Sequence, residues 1–201
     1  MRAVLVHVTD EELAHRRSIG LDRWDEMWDG VLHMTPAPSL EHQRILDRMI
    51  GFLESHLRTT GRGLLISGIN VFNDAAAHSD YRIPDLTFVA AGRDRVFRHD
   101  GVHGGPDAVI EIRSPEDETY DKLPFYASLD TRELIVIDRD TKRPEVYRLA
   151  GSRLVSLQPD ADGWLSAQTM AVRLRVVNQP PVLQIEDLID QGVRVEIASQ
   201  A

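Results

Sequence analysis

The sequence predicts an α/β (α+β) fold in which a mixed central β-sheet is flanked by helices. Predicted strands outnumber predicted helices, and the helical segments precede the sheet or interrupt it. Two strands are predicted from short apolar runs rich in β-branched residues, Ile83–Val89 and Ala108–Ser114, each bounded by Gly, Pro or Asp. Each run also contains a carboxylate, which is costly to bury without a cation or hydrogen-bond donors beside it.

Composition favours one globular domain, residues 1–201, with a core at about 24–190. Hydrophobic residues make up 42% of the 201 residues and charged residues 27%, which suits a single buried core. The chain has no cysteine, so it can form neither disulfides nor thiolate zinc sites. No apolar run approaches membrane-spanning length, and the N-terminus lacks a signal-peptide core. We therefore expect a cytoplasmic protein without membrane association.

The first third of the chain contains signals for two helices and a hairpin. Thr9 to Glu12 form a capping-box pattern, which predicts a short helix that runs to about Ser18. Asp29-Gly30 predicts a tight turn between two short strands. Ser39 can cap a long helix whose apolar residues recur at helical spacing through Leu57.

The remaining elements are predicted from alternation and breakers. A helix is expected from about Thr119 to Leu129, with Pro124 tolerated in its first turn. The loop predicted before the first acidic strand runs from Asn73 to Asp80. The other predicted elements are a strand over 63–72, strands over 133–138, 143–149, 154–157 and 172–176, and a final helix over 184–190.

Acidic and basic residues lie on the two acidic strands in a distinctive order. Pro84-Asp85 is followed, after a gap, by Glu111-x-Arg113. Alternation along the second strand places Glu111 and Arg113 on one face, about 6.6 Å apart. This spacing suits neighbours around one site better than a direct ion pair. The order matches the proline-aspartate, acid-x-lysine signature of restriction-type nucleases, with Arg where Lys is usual.

Longer runs around these residues resemble the Uma-two family of restriction-endonuclease-like proteins, in the PD-(D/E)XK nuclease superfamily. The resemblance spans most of residues 24 to 190 and implies a restriction-endonuclease-like mixed central sheet and nuclease activity. The runs that carry it are Trp24–Gly30, Met34–Pro38, His42, Gly105–Pro115, Glu118–Tyr126 and Arg132–Asp138.

Two carboxylates define the predicted site. Asp85 and Glu111, with the backbone carbonyl of Ile112 between them, would form a hard oxygen site suited to Mg²⁺ or Mn²⁺. Lys122 would position the attacking water or neutralise developing charge. Arg113 stays protonated and cannot act as a base. Its planar guanidinium can donate two hydrogen bonds to the transition state and so stabilise it. We therefore expect a metal-dependent endonuclease whose substrate is DNA.

Supporting residues each have a structural alternative. Glu26 is a candidate outer metal ligand, or else an exposed hairpin acid. His42 could contact a phosphate or orient a ligand, or else lie on the surface or in the core. Lys122 could equally be an ordinary exposed helix lysine. Ser114 and Tyr126 are expected to bond to phosphate oxygens.

Other functions remain open from the sequence. Arg113 and the net charge of −9 also fit a catalytically inactive relative that binds a protein or nucleic-acid partner. Glycoside hydrolysis by Asp85 and Glu111 is disfavoured, because aromatic residues make up only 6% of the chain. Two basic groups, over 93–103 and 142–153, could contact phosphates locally or be solvated surface.

A homodimer is also expected, because a two-fold dimer matches the symmetry of duplex DNA. The hairpin with Trp24 and Trp28 is the candidate surface.

Overall fold

The computed structural model describes residues 3–76, 79–177, 179–190 and 192–199. Its helices are α1 (Asp10–Ser18), α2 (Leu40–Thr60) and α3 (Leu123–Ser128). The strands are β1 (Ala3–Leu5), β2 (Asp25–Trp28), β3 (Val31–Met34), β4 (Gly63–Ser67), β5 (Val71–Phe72), β6 (Tyr81–Arg82), β7 (Leu86–Ala90), β8 (Phe97–Arg98), β9 (Gly101–His103), β10 (Ala108–Arg113), β11 (Glu133–Asp138), β12 (Pro144–Ala150), β13 (Arg153–Ser156), β14 (Leu165–Ala167), β15 (Val172–Val177), β16 (Val182–Asp187) and β17 (Arg194–Ala198).

A six-stranded mixed sheet lies at the centre, in the order β13-β12-β11-β10-β7-β4. Strands β10 and β11 are parallel, whereas the other neighbours in this sheet are antiparallel. Helix α2 packs one face through Ile45, Met49 and Leu53. Residues Phe125 and Tyr126 of α3 pack the opposite face. The predicted mixed central sheet flanked by helices is therefore confirmed.

Two further sheets border the central one. Seven short strands form the sheet β1-β3-β2-β6-β5-β9-β8, and four antiparallel strands form the sheet β14-β15-β16-β17. The four-stranded sheet shares the core of α2, and His56 on α2 bonds both to Asp187 (2.7 Å) and to the carbonyl of Met170 (3.0 Å). Among the described residues, no helix is both long and apolar enough to cross a membrane.

Local signals place the first two helices correctly. The Thr9 side chain accepts the amide of Glu12, whose carboxylate accepts the Thr9 amide in return, so the predicted capping box is present. Ser39 caps α2 by accepting the amide of His42. Gly61 ends α2 in a left-handed conformation (φ 62°), which a residue without Cβ adopts at low cost.

Two predicted strands begin or end elsewhere. Strand β7 starts at Leu86, so Asp85 lies just before the strand rather than in its middle. The predicted strand over 63–72 is divided, because Gly68 turns the backbone (φ 57°) and sends β4 and β5 into different sheets. In the predicted loop from Asn73 to Asp80, positions 77 and 78 lie outside the described residues.

Two predicted helices also differ. The helix expected from Thr119 to Leu129 begins as a 3₁₀ turn over Thr119–Lys122 and continues as α3. The final helix expected over 184–190 is wrong, since 182–187 form strand β16. This segment hydrogen-bonds to β15 on one side and β17 on the other, and that tertiary pairing overrides its local pattern.

Candidate active site

The predicted acids meet at the end of β10. The antiparallel register of β7 and β10 pairs Leu86 with Ile110, which brings Asp85 level with Glu111. The Asp85 carboxylate accepts the amide of Ile112 at 2.6 Å. The group of Ile112 that contacts Asp85 is thus its N–H, whereas the sequence pointed to its carbonyl.

Glu111 is buried, with 4% of its surface exposed. Its Oε1 accepts the hydroxyl of Tyr126 at 2.9 Å and lies 3.3 Å from the Lys122 ammonium. Burial raises the pKa of Glu111 to about 8; the charge of Lys122 opposes this rise, while the charges of Asp85 and Glu26 add to it. Burial and the two neighbouring carboxylates therefore favour the protonated form of Glu111 in the metal-free protein.

Lys122 lies between two carboxylates. Its Nζ donates to Glu26 Oε1 at 2.8 Å and faces Glu111 at 3.3 Å. Burial acts to lower the pKa of Lys122, but the charges of Glu111 and Glu26 outweigh burial and raise it above its usual range. Lys122 is thus a permanent cation rather than an exposed helix lysine, and it cannot act as a general base.

Glu26 holds the lysine in place. Its Oε1 also accepts the amide of Ile83 (2.8 Å), and its Oε2 accepts the indole N–H of Trp28 (2.9 Å). Only 3% of Glu26 is exposed, so the interpretation as an exposed hairpin acid is wrong. Because both oxygens are engaged, its position favours a role as partner of Lys122 over the expected role as an outer metal ligand.

His42 contacts the other acid. Its Nε2 lies 2.9 Å from Asp85 Oδ1, and it projects from the first turn of α2, which packs on the face of the sheet opposite α3. Because His42 is also buried, this contact agrees both with the expected role of orienting a ligand and with the alternative of a core histidine.

Three other predicted residues make different contacts. Arg113 donates to Asp138 at 2.7 Å, and its guanidinium lies 5.3 Å from the ring centre of Tyr120. The Ser114 amide donates to Asp117 at 2.6 Å. The hydroxyl of Tyr126 is fully buried against Glu111, so it cannot reach a phosphate as expected.

The sequence did not predict the aromatic residues that pack beside Glu26, the partner of Lys122. The Arg82 guanidinium is stacked between the rings of Trp28 and Phe125, 4.2 Å from each centre. Trp28 in turn donates to Glu26. Strand alternation places Trp28 and Glu26 on one face and could have indicated that contact, but no local signal joins Arg82 to Phe125.

Several residues of the two basic groups, over 93–103 and 142–153, form ion pairs with acidic residues of the same chain. Lys142 is fully buried, so the surface interpretation is wrong for it. The contacts are Arg93 with Asp107 (2.9 Å), His103 with Asp74 (3.0 Å) and Asp100 (2.9 Å), Lys142 with Glu41 (2.6 Å), and Arg148 with Glu133 (2.8 Å).

The donor set fits a divalent cation of the magnesium type. Within the described ranges, no group of three or more His, Asp or Glu side chains is arranged to hold a metal ion on its own. Mg²⁺, however, is commonly held by one or two carboxylates, with waters and substrate phosphates completing its shell. Within those ranges both hydrogen bonds to Glu111 fall on Oε1, and each Asp85 oxygen accepts one bond. Lone pairs therefore remain on both acids.

The mixed sheet, with two acids and a lysine near the end of one strand, agrees with the order of residues that resembles the signature of restriction-type nucleases. A sequence model of the Uma2 family, described as "Putative restriction endonuclease", matches residues 20–178, and the chain belongs to this family. The predicted family is therefore confirmed. No curated protein is similar enough to be matched.

A solved structure has a similar fold. It is described as a "putative nuclease belonging to DUF820" from Anabaena variabilis ATCC 29413. The match has a TM-score of 0.59 and 18% sequence identity, and it covers 73% of this chain and 83% of that chain. At this identity the likeness shows the fold alone.

Proposed function

We propose that this protein is a metal-dependent endonuclease that hydrolyses DNA phosphodiester bonds, with Asp85 and Glu111 as the ligands of Mg²⁺ or Mn²⁺. The convergence of these two acids with Lys122 at the end of β10 carries the proposal. Membership of the Uma2 family supports the nuclease class.

Each side chain has a distinct role in this proposal. When bound, the divalent cation supplies Lewis-acid activation of a phosphodiester oxygen and of water. His42 holds the carboxylate of Asp85, and Tyr126 holds that of Glu111. An ammonium has three donors, and Lys122 uses two on Glu26 and Glu111, so its third can stabilise negative charge on the phosphate.

Arg113 lies at the rim of the site. About a third of its side chain is exposed, and Asp138 fixes its guanidinium. We propose that it contacts a phosphate beside the reacting bond, where a planar fork donor binds well.

Cleavage assays test the proposal. Purified protein with Mg²⁺ or Mn²⁺ is expected to cut DNA, and Asp85→Asn or Glu111→Gln is expected to abolish cutting while the fold is retained. Glu54→Gln, an exposed acid on α2, is the matched control and should cut normally. Unchanged cutting in both site variants would rule out this site.

A second function is favoured by two ion pairs. Lys122 already neutralises part of the acidic cluster, and Asp138 engages Arg113, so the protein could be a catalytically inactive nuclease-fold module that binds a partner or nucleic acid. Titration of Mn²⁺ in a calorimeter separates the two functions. The nuclease requires saturable binding that Asp85→Asn removes, whereas the inactive module shows no saturable binding.

A further inference from the structure

Strand β4 forms one edge of the central sheet. In the described part of the chain, no strand pairs with its outer side. Its five residues, Gly63 to Ser67, carry no charge, and 55% of Leu64 is exposed. Natural proteins usually protect edge strands with charges, proline or short length. The opposite edge, β13, has such a charge in Arg153.

The hydrogen bonds at both ends of β4 fix which backbone groups face outward. The amide of Ala91 donates to the carbonyl of Arg62, and the amide of Gly68 donates to the carbonyl of Asp85. Even-numbered residues of this strand therefore bond to β7, because antiparallel ladders alternate. The outward N–H and C=O groups belong to Gly63, Leu65 and Ser67.

We propose that a second copy of this chain pairs with this edge, antiparallel, with Leu65 on the two-fold axis. Leu65 then faces Leu65 of the other copy, and Gly63 faces Ser67. The outward groups of the two strands match in this register and form about six hydrogen bonds.

The side chains favour a second copy over an unrelated partner. In this register Leu64 lies opposite Ile66 of the second copy, with Cβ atoms about 5 Å apart. Apolar residues of similar size on each side of Leu65 make the strand complementary to itself, as a two-fold interface requires. The exposed face of Leu64 becomes buried, while Leu65 keeps its packing on the core of α2.

Charge points to the same surface. Two chains of net charge −9 repel each other, so they associate best through a strand that carries no charge of its own. β4 is uncharged, and its surroundings mix Glu54, Arg58 and Asp94. The joined sheet would have twelve strands, six from each copy. The two candidate sites, each at β7 and β10, would lie on either side of the β4 seam. This inference does not depend on nuclease activity.

Sedimentation equilibrium and light scattering test the interface. The natural chain is expected to have twice the chain mass, and Leu64→Lys should raise the dissociation constant by at least about tenfold. Val155→Lys on β13 is the matched control, since 51% of Val155 is exposed on the opposite edge, and it should remain dimeric. Circular dichroism verifies that both variants are folded. A monomeric natural chain, or a dimer that only Val155→Lys dissociates, would overturn the proposal.

The register has its own test, because the chain lacks cysteine. Residues facing each other in a hydrogen-bonded antiparallel pair have Cα atoms about 5.5 Å apart, which a disulfide can span. Leu65→Cys is expected to form a covalent dimer on mild oxidation, and Val155→Cys is not. A folded, dimeric Leu65→Cys protein that does not cross-link would overturn the register.

Discussion

Glu111 receives its contacts from a different element than the one that carries it. The strand supplies the acid, and the segment that leads into and forms α3 supplies both Lys122 and the buried hydroxyl of Tyr126. Proton affinity and orientation of this carboxylate are thus set by residues 11 and 15 positions away. The sequence indicated the acid and the lysine through their motif and spacing, but it assigned the tyrosine to a phosphate because burial cannot be read from one helical turn.

Replacing that tyrosine tests the orientation of Glu111. Tyr126→Phe removes the donor while keeping the ring, and we expect a loss of about 1–2 kcal/mol in the free energy of unfolding. DNA cleavage should also fall, since the carboxylate is no longer held. Urea titration and a cleavage assay measure the two effects. Tyr147→Phe is the control, because its hydroxyl bonds to Glu145 instead, and it should leave cleavage unchanged.

The raised pKa of Glu111 predicts an unusual pH dependence for the metal-free protein. Between its ordinary value of 4.5 and about 8, the folded state keeps a proton on Glu111 that the unfolded chain releases. This group's contribution to the free energy of unfolding is therefore full below pH 4.5 and is lost as pH rises towards 8, by at most about 1.4 kcal/mol per pH unit.

Urea unfolding at a series of pH values in EDTA measures this dependence. Glu111→Gln carries no titrating proton, so its stability should decline less steeply with pH than that of the natural chain. Identical slopes for the two proteins would contradict the predicted protonation.

At the scale of elements, the cation of the site comes from the entry to α3 rather than from β10. Strand β10 carries Arg113, which pairs with Asp138 at the rim. Lys122 instead ends the 3₁₀ turn before α3, where Pro124 is tolerated in the first helical turn. Pro124 indicated a first helical turn in this segment, although the helix was expected to begin at about Thr119. The helix expected over 184–190 was wrong because the pairing of β16 with two neighbouring strands leaves no local signal.

This arrangement predicts unequal effects for the two basic residues. Lys122→Met should lower the single-turnover cleavage rate by about 100-fold or more, because it removes a buried transition-state donor. It should also destabilise the fold by on the order of 3 kcal/mol, since Glu26 and Glu111 lose their cation. Arg113→Lys retains the charge at the rim but loses the planar fork, so the cleavage rate should fall by about tenfold or less. A larger loss for Arg113→Lys than for Lys122→Met would contradict the assignment.

At the scale of the molecule, helix α2 joins two of the three sheets into one core. Its apolar face contacts the central sheet and the four-stranded sheet within one cluster of buried residues. Hydrophobic periodicity predicted α2 correctly, and the number and order of predicted strands and helices predicted the fold class. The division into three sheets was not predictable, because short strands such as β5, β8 and β14 are defined by their partners rather than by their own sequences.

The shared core predicts a single cooperative unfolding transition, as expected for one domain. Leu53, 1% exposed on α2, touches this core, and Leu53→Ala should lower the free energy of unfolding by about 2–5 kcal/mol. Far-ultraviolet circular dichroism follows the whole fold, while tryptophan fluorescence combines Trp24 and Trp28 near the hairpin with Trp164 beside the four-stranded sheet. Both probes should shift together in the variant; separate transitions would indicate more than one folding unit.

Glu26 and Lys122 are 96 positions apart, and their contact closes the candidate centre only when the hairpin, the central strands and the segment that leads into α3 have all assembled. A chain that ends before Lys122 therefore lacks part of this constellation. Under the proposed function, such a fragment would not cut DNA.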